Sequence, residues 1–199
     1  AVNNGQQFLF TNTTFNGNVA TNNFGNSRGG ALYISNQWDP QQEAVVVILN
    51  SRFTKNIVNS QPGYPAEGGA ISARGPFMMA GSVVDSNYSS QAGGGIAIDI
   101  QSINKLGSNY TGFASLVNNT IVNNIADSRD PSFPGFGGGI VDYNIDQHDN
   151  LWFNNIIWGN QSNNLIEPSH GVWVQTFSGQ PVSNQGSEWN GYNNIQDVA

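Results

Sequence analysis

One short pattern returns five times along this chain, and a recurrence of that kind leaves few folds open. Each copy begins with an apolar residue, two spacers and an Asn: Phe15-Asn16-Gly17-Asn18, Phe53-Thr54-Lys55-Asn56, Val84-Asp85-Ser86-Asn87, Ile121-Val122-Asn123-Asn124 and Ile157-Trp158-Gly159-Asn160. A Gly pair and a further apolar residue follow, at Gly29-Gly30-Ala31-Leu32, Gly68-Gly69-Ala70-Ile71, Gly94-Gly95-Ile96 and Gly138-Gly139-Ile140; in the fifth copy His170-Gly171-Val172 takes that place. Segments that repeat at this period are units that bury their apolar face only by stacking on one another. The marker residues Asn18, Asn56, Asn87, Asn124 and Asn160 stand 38, 31, 37 and 36 residues apart.

Short apolar or β-prone runs precede each marker: Phe8-Leu9-Phe10, Val45 to Leu49, Phe77-Met78-Met79, Ser115-Leu116-Val117 and Leu151-Trp152-Phe153. Similar runs follow each glycine element, as in Ala31 to Ile34, Ala70-Ile71-Ser72, Ile96-Ala97-Ile98, Ile140-Val141 and Val172-Trp173-Val174. Two or three short strands per copy, joined by corners, make one coil of a parallel β-helix, with equivalent strands pairing from coil to coil. The reading is therefore an all-β, right-handed parallel β-helix of five to six turns, with residues 1–199 forming a single domain. Five coils stacked about 4.8 Å apart give a rod about 25 Å long. The uneven spacing places insertions at corners, over 36–43, 59–67, 101–112, 127–136 and 161–169. A β-sandwich would need strict alternation around hairpin turns. Asn16-Gly17 and Asn190-Gly191 are not flanked by such strands.

The markers have a physical reason to recur. Asn tolerates the left-handed backbone region at a sharp corner. Its amide donates and accepts, so asparagines one coil apart can bond in a ladder. A Gly pair permits positive φ and close backbone approach. The recurring Asn, Gly, Phe and Ile residues thus read as scaffold.

Composition removes several classes of function. Only 10% of the 199 residues are charged, well under the usual share of about 25%, and the net charge is −7. Arg28, Arg52, Lys55, Arg74, Lys105 and Arg129 are dispersed. A nucleic-acid partner needs clustered Lys and Arg to displace counterions. No apolar run approaches the length of a transmembrane helix. There is no Cys, so disulfides and thiolate metal sites are excluded.

Phe15-x-x-Asn18 with Gly29-Gly30-Ala31-Leu32, and Phe53-x-x-Asn56 with Gly68-Gly69-Ala70-Ile71, resemble the FxxN and GGA[I/L/V] repeats of polymorphic outer-membrane proteins. Asn154-Asn155-Ile156-Ile157-Trp158-Gly159-Asn160 resembles a turn common near the end of bacterial surface β-helices, and Asn194-Ile195-Gln196 the strand that follows it. The resemblance implies an extracellular or cell-surface setting and a non-enzymatic structural or adhesive role.

One cluster carries a chemical alternative. Asp146-Gln147-His148-Asp149, with His170-Gly171-Val172 further along, is similar to the DPHD motif and later HG[I/V] turn of alginate C-5 epimerases. That resemblance implies Asp146, His148, Asp149, His170 and the preceding Tyr143 as acid, base and charge-neutralising groups acting on a uronate polymer. Gln147 replaces the family's Pro. The step from His148 to His170 matches one short β-helix turn, which would let the two histidines face each other across neighbouring turns. The plainer reading is a polar corner over 146–150, and the scarcity of basic residues suits an anionic polymer poorly. Trp38, Tyr64, Trp158 and Trp189 lie in loops or corners, where aromatic rings can stack on sugars or cover the ends of the core. For cofactors, calcium on scattered carboxylates and Asn side chains is the one candidate, without a regular Asp-containing nonapeptide to support it. No amphipathic helix caps either end, so end-to-end association into a homo-oligomer or filament is a further expectation.

Overall fold

A computed structural model describes residues 7–35, 45–100, 103–105, 108–110, 112–128, 130, 135–143, 148–163, 172–175, 191–192 and 195–196; for 103–105, 108–110, 148–150, 173–175, 191–192 and 195–196 it describes the backbone alone. Strands are numbered in chain order. The first coil holds β1 (Gln7–Thr11), β2 (Thr14–Asn16), β3 (Val19–Asn22), β4 (Ser27–Arg28) and β5 (Leu32–Ile34). The second holds β6 (Val45–Leu49), β7 (Arg52–Thr54), β8 (Ile57–Ser60), β9 (Ala66–Glu67) and β10 (Ile71–Ala73). The third holds β11 (Phe77–Ala80), β12 (Val83–Asp85), β13 (Tyr88–Ser89) and β14 (Ile96–Ile98), after which β15 (Ile103–Lys105) and β16 (Ser108–Tyr110) form an antiparallel hairpin. Then come β17 (Gly112–Val117), β18 (Thr120–Val122), β19 (Ile125–Ala126) and β20 (Ile140–Tyr143), and next β21 (His148–Phe153), β22 (Ile156–Trp158), β23 (Gln161–Ser162) and β24 (Val172–Gln175). β25 (Gly191–Tyr192) and β26 (Ile195–Gln196) continue the stack.

Equivalent strands pair in parallel. The sheets run β1-β6-β11-β17-β21-β25, β2-β7-β12-β18-β22-β26, β3-β8-β13-β19-β23 and β5-β10-β14-β20-β24, with β4-β9 as a short fifth row. The fold is an all-β parallel solenoid. Four main rows run along it, where the sequence predicts two or three strands per coil. The row that the sequence hides is the third sheet. Its inward column is Ala20, Val58, Ser89, Ala126 and Ser162. Small and polar side chains in two- to four-residue strands give no hydrophobic period to read.

The core consists of columns of like residues. Phe15, Phe53, Val84, Ile121 and Ile157 align coil over coil. The Phe15 and Phe53 rings stack at 4.5 Å, with Phe10 edge-on to Phe15 at 5.6 Å. Phe10, Ile48, Met79, Leu116 and Trp152 form a second column, and Leu32, Ile71, Ile96, Ile140 and Val172 a third. Burying one such side chain contributes about 1.5–3 kcal/mol.

The corners differ from expectation in one respect. The marker asparagines do not occupy the left-handed region. The residue before each does: Gly17, Lys55, Ser86, Asn123 and Gly159, with φ between 56° and 67°. The chain turns at that residue, and the next side chain swings inward. A second corner of the same build opens each coil, with Asn12, Asn50, Gly81, Asn118 and Asn154 at positive φ ahead of Thr13, Ser51, Ser82, Asn119 and Asn155. The glycine corner also shifts by one residue. Gly93-Gly94-Gly95 and Gly137-Gly138-Gly139 align with Gly68-Gly69-Ala70, since Gly69 N donates to Gly93 O and Gly94 N to Gly137 O. Copies three and four thus carry Gly at the Ala position. At Gly68, φ is +71° and an added Cβ would overlap the Ile71 carbonyl oxygen.

Candidate functional site

Most of the polar residues that recur with the repeat are spent on the scaffold. Asn56 donates its backbone N and its Nδ2 to Asn87 Oδ1, each at 2.9 Å, and its Nδ2 also reaches back to Phe15 O at 3.0 Å. Asn87 does the same to Asn124 Oδ1 and Phe53 O, and Asn124 to Asn160 Oδ1 and Val84 O. Asn18 begins the file by donating to Asn56 Oδ1. A parallel file at the other corner runs Thr13 N to Ser51 Oγ, Ser51 N to Ser82 Oγ, Ser82 N to Asn119 Oδ1 and Asn119 N to Asn155 Oδ1. Asn56, Asn87, Asn119, Asn124, Asn155 and Asn160 are at most 2% exposed. A buried amide this fully bonded is a structural element with no capacity left for a ligand.

Two places outside these files hold chemistry. The first is a cavity of about 200 Å³ beside the corner joining β8 to β9. Gln61-Pro62-Gly63-Tyr64 forms a turn closed by Tyr64 N donating to Gln61 O at 3.1 Å, with Gly63 at φ +88°. Pro at the second position and a positive-φ Gly at the third define a type II turn. The next residue pins the turn to the scaffold: Pro65 O accepts from Ser60 Oγ at 3.0 Å and from Ser27 N at 2.9 Å. Tyr64, 44% exposed, lines the cavity together with Asn23, Asn59, Gln61, Gln91 and Asp130.

The second is a charged cluster on the outer side of the fourth sheet. Arg28 Nε donates to Glu67 Oε2 at 3.1 Å across β4 and β9, and Arg74 pairs with Asp99 at the ends of β10 and β14. Tyr143, at the end of β20, packs against the small buried group of Ala92, Ala97 and Val141. Burial raises the Glu67 carboxyl above its ordinary value, opposed by the adjacent Arg28 guanidinium. Burial also raises the Tyr143 phenol well above the usual tyrosine range, reinforced by the Glu67 and Asp99 carboxylates. The two ion pairs balance in charge, so the cluster ties neighbouring strands together without favouring an anion or a cation.

The residues singled out from sequence are dispersed. Tyr64 lines the cavity, whereas Trp158 projects from the second sheet, 56% exposed. Trp38, Trp189, Asp146 and His170 lie outside the described residues. His148 and Asp149 are strand residues of β21, opposite Gly112 and Phe113, rather than part of a polar corner. A coil takes 31 to 38 residues between laddered asparagines. The step from His148 to His170 is shorter than these, but adjacent coils also pair at a closer spacing, as Ile71 does with Ile96, and His170 lies outside the described residues. Among the described residues no group of three His, Asp or Glu side chains could hold a metal ion. Among them, too, no helix is long and apolar enough to cross a membrane. Sequence reasoning missed Asn23, Asn59 and Gln91, which recur at close to one coil's spacing; a repeat-aligned search for unladdered polar residues would have found them. Set against protein-family models, curated proteins and solved structures, the chain matches none.

Proposed function

We propose that this chain is a non-enzymatic structural and adhesive β-helix module of a secreted or cell-surface protein, which associates end to end through its edge coils. The observation that carries the reading is where the repeated polar groups go. They bond coil to coil and build a stiff rod, leaving the corner loops as the variable surface. The FxxN and GGA elements support a kinship with the repeats of polymorphic outer-membrane proteins, and with them the extracellular setting. End-to-end association has its own support. Among the described residues β1, β2, β3 and β5 each pair on one side only, and unpaired strand edges are templates for further pairing. Leu9 and Val19 on that coil are 59% and 63% exposed.

Sedimentation velocity over a wide concentration range tests the association. The wild type is expected to form species that grow with concentration, and the double variant Leu9→Lys/Val19→Lys to stay smaller, because edge lysines block strand addition. A single monomeric species throughout would overturn the end-to-end part. Turnover of a polyuronate by the wild type, lost in His148→Ala, would overturn the non-enzymatic part.

A further inference from the structure

We infer that the cavity beside Tyr64 is a binding site for one ring of a neutral saccharide. The inference rests on the adhesive reading above and names its ligand class. Three features of the cavity lead to it. An aromatic side chain on a pinned type II turn forms part of the wall. Pro62 and the bonds from Ser60 and Ser27 to Pro65 O hold that turn before any ligand arrives, so little ordering entropy is lost on binding. Tyrosine offers a rigid, amphipathic face of the kind that packs on the C–H side of a sugar ring while its hydroxyl stays available for hydrogen bonding.

The second feature is the unspent hydrogen-bonding capacity. In a chain where Asn side chains are laddered, the amides of Asn23, Asn59 and Gln61 and the Tyr64 hydroxyl make no hydrogen bond to any described residue. Gln91 spends only its Oε1, on Ala66 N at 3.1 Å, which leaves both hydrogens of its Nε2 free among the described residues. Asn59 and Gln91 are half-buried at the cavity. Neutral amides that both donate and accept are the complement of a ring of hydroxyl groups.

The third feature is charge. No Lys or Arg is among the described lining residues, and Asp130 is the charged one. A uronate, sialate or sulfate finds no cationic side chain among these described residues to pair with, whereas the side-chain amides and the Tyr64 hydroxyl match a neutral ring. At about 200 Å³ the cavity lies below the range of drug-sized sites, about 300–1,000 Å³. That volume matches a single sugar ring.

The test uses the full chain and defined probes: methyl glycosides of glucose, galactose, mannose and N-acetylglucosamine, with methyl glucuronide and methyl galacturonide as the acidic arm. Saturation-transfer difference NMR is expected to detect at least one neutral glycoside and neither acidic one. Tyr64→Ala is expected to lower affinity at least tenfold and Asn59→Ala severalfold, with circular dichroism unchanged, since both side chains reach solvent. The inference is overturned if no neutral glycoside binds, if the uronides bind equally well, or if Tyr64→Ala binds like the wild type. The sedimentation result is independent of this one. A protein that associates end to end but binds no sugar loses only the saccharide site, and a sugar-binding monomer loses only the end-to-end reading.

Discussion

Asn87 sits in mid-file, with Asn56 donating to it from one coil and Asn124 accepting from it in the next. Replacing it by Ala strips the acceptor from the buried Asn56 N–H and Nδ2, and the donor from Phe53 O. Each buried group left unsatisfied costs about 1–3 kcal/mol, so Asn87→Ala is expected to lose about 3 kcal/mol or more of unfolding free energy in urea titrations. Asn18 is exposed and only donates along the file, so Asn18→Ala is expected to cost less than about 1 kcal/mol. Equal losses at the two positions would refute a directional, burial-dependent ladder. The marker position was legible because one residue type recurred at it. The companion file of Thr13, Ser51, Ser82, Asn119 and Asn155 was not, because a hydroxyl or an amide satisfies the same geometry and the residue identity drifts.

At the level of strands, β4 and β9 form the edge that separates the third sheet from the glycine corner. There the Arg28–Glu67 pair faces Arg74, Asp99 and Tyr143 from neighbouring strands. The folded-state pKa of Glu67 is raised, so its contribution to stability is fully present below the ordinary value of 4.5 and is lost as pH rises through the folded value. Wild-type stability minus that of Glu67→Gln is therefore expected to fall as pH rises from 4.5 and then level off, measured by urea unfolding of both proteins across that window. A difference that grows with pH would show that Arg28 outweighs burial, and one that stays flat that the two cancel. The fourth sheet beside this edge was readable from apolar runs such as Ile96-Ala97-Ile98. β4 and β9 were not, because two-residue strands carry no periodicity and arise only where the coil path brings Ser27 over Ala66.

For the molecule as a whole, stability should be graded along the rod rather than uniform. β3 is largely exposed and pairs on one side only among the described residues, while every residue of β10 and β14 is buried. In a solenoid each coil is held by its neighbours, so a coil with one neighbour opens first. Amide hydrogen exchange at low protein concentration is expected to run at least tenfold faster in Val19–Asn22 than in Ile96–Ile98; matching rates would indicate a single all-or-none unit. The amino-acid sequence alone determined that coils stack, which columns form the core, and that Asn56, Asn87 and Asn124 share one edge, because stacking in register repeats the same local demand at every turn. Only the tertiary structure decided that Asn23, Asn59, Tyr64 and Gln91 share one cavity and that Tyr143 joins Glu67 and Asp99. Asn23, Asn59 and Gln91 come from successive coils, as do Glu67, Asp99 and Tyr143, and no local interaction ties their positions together until the coils have closed on one another.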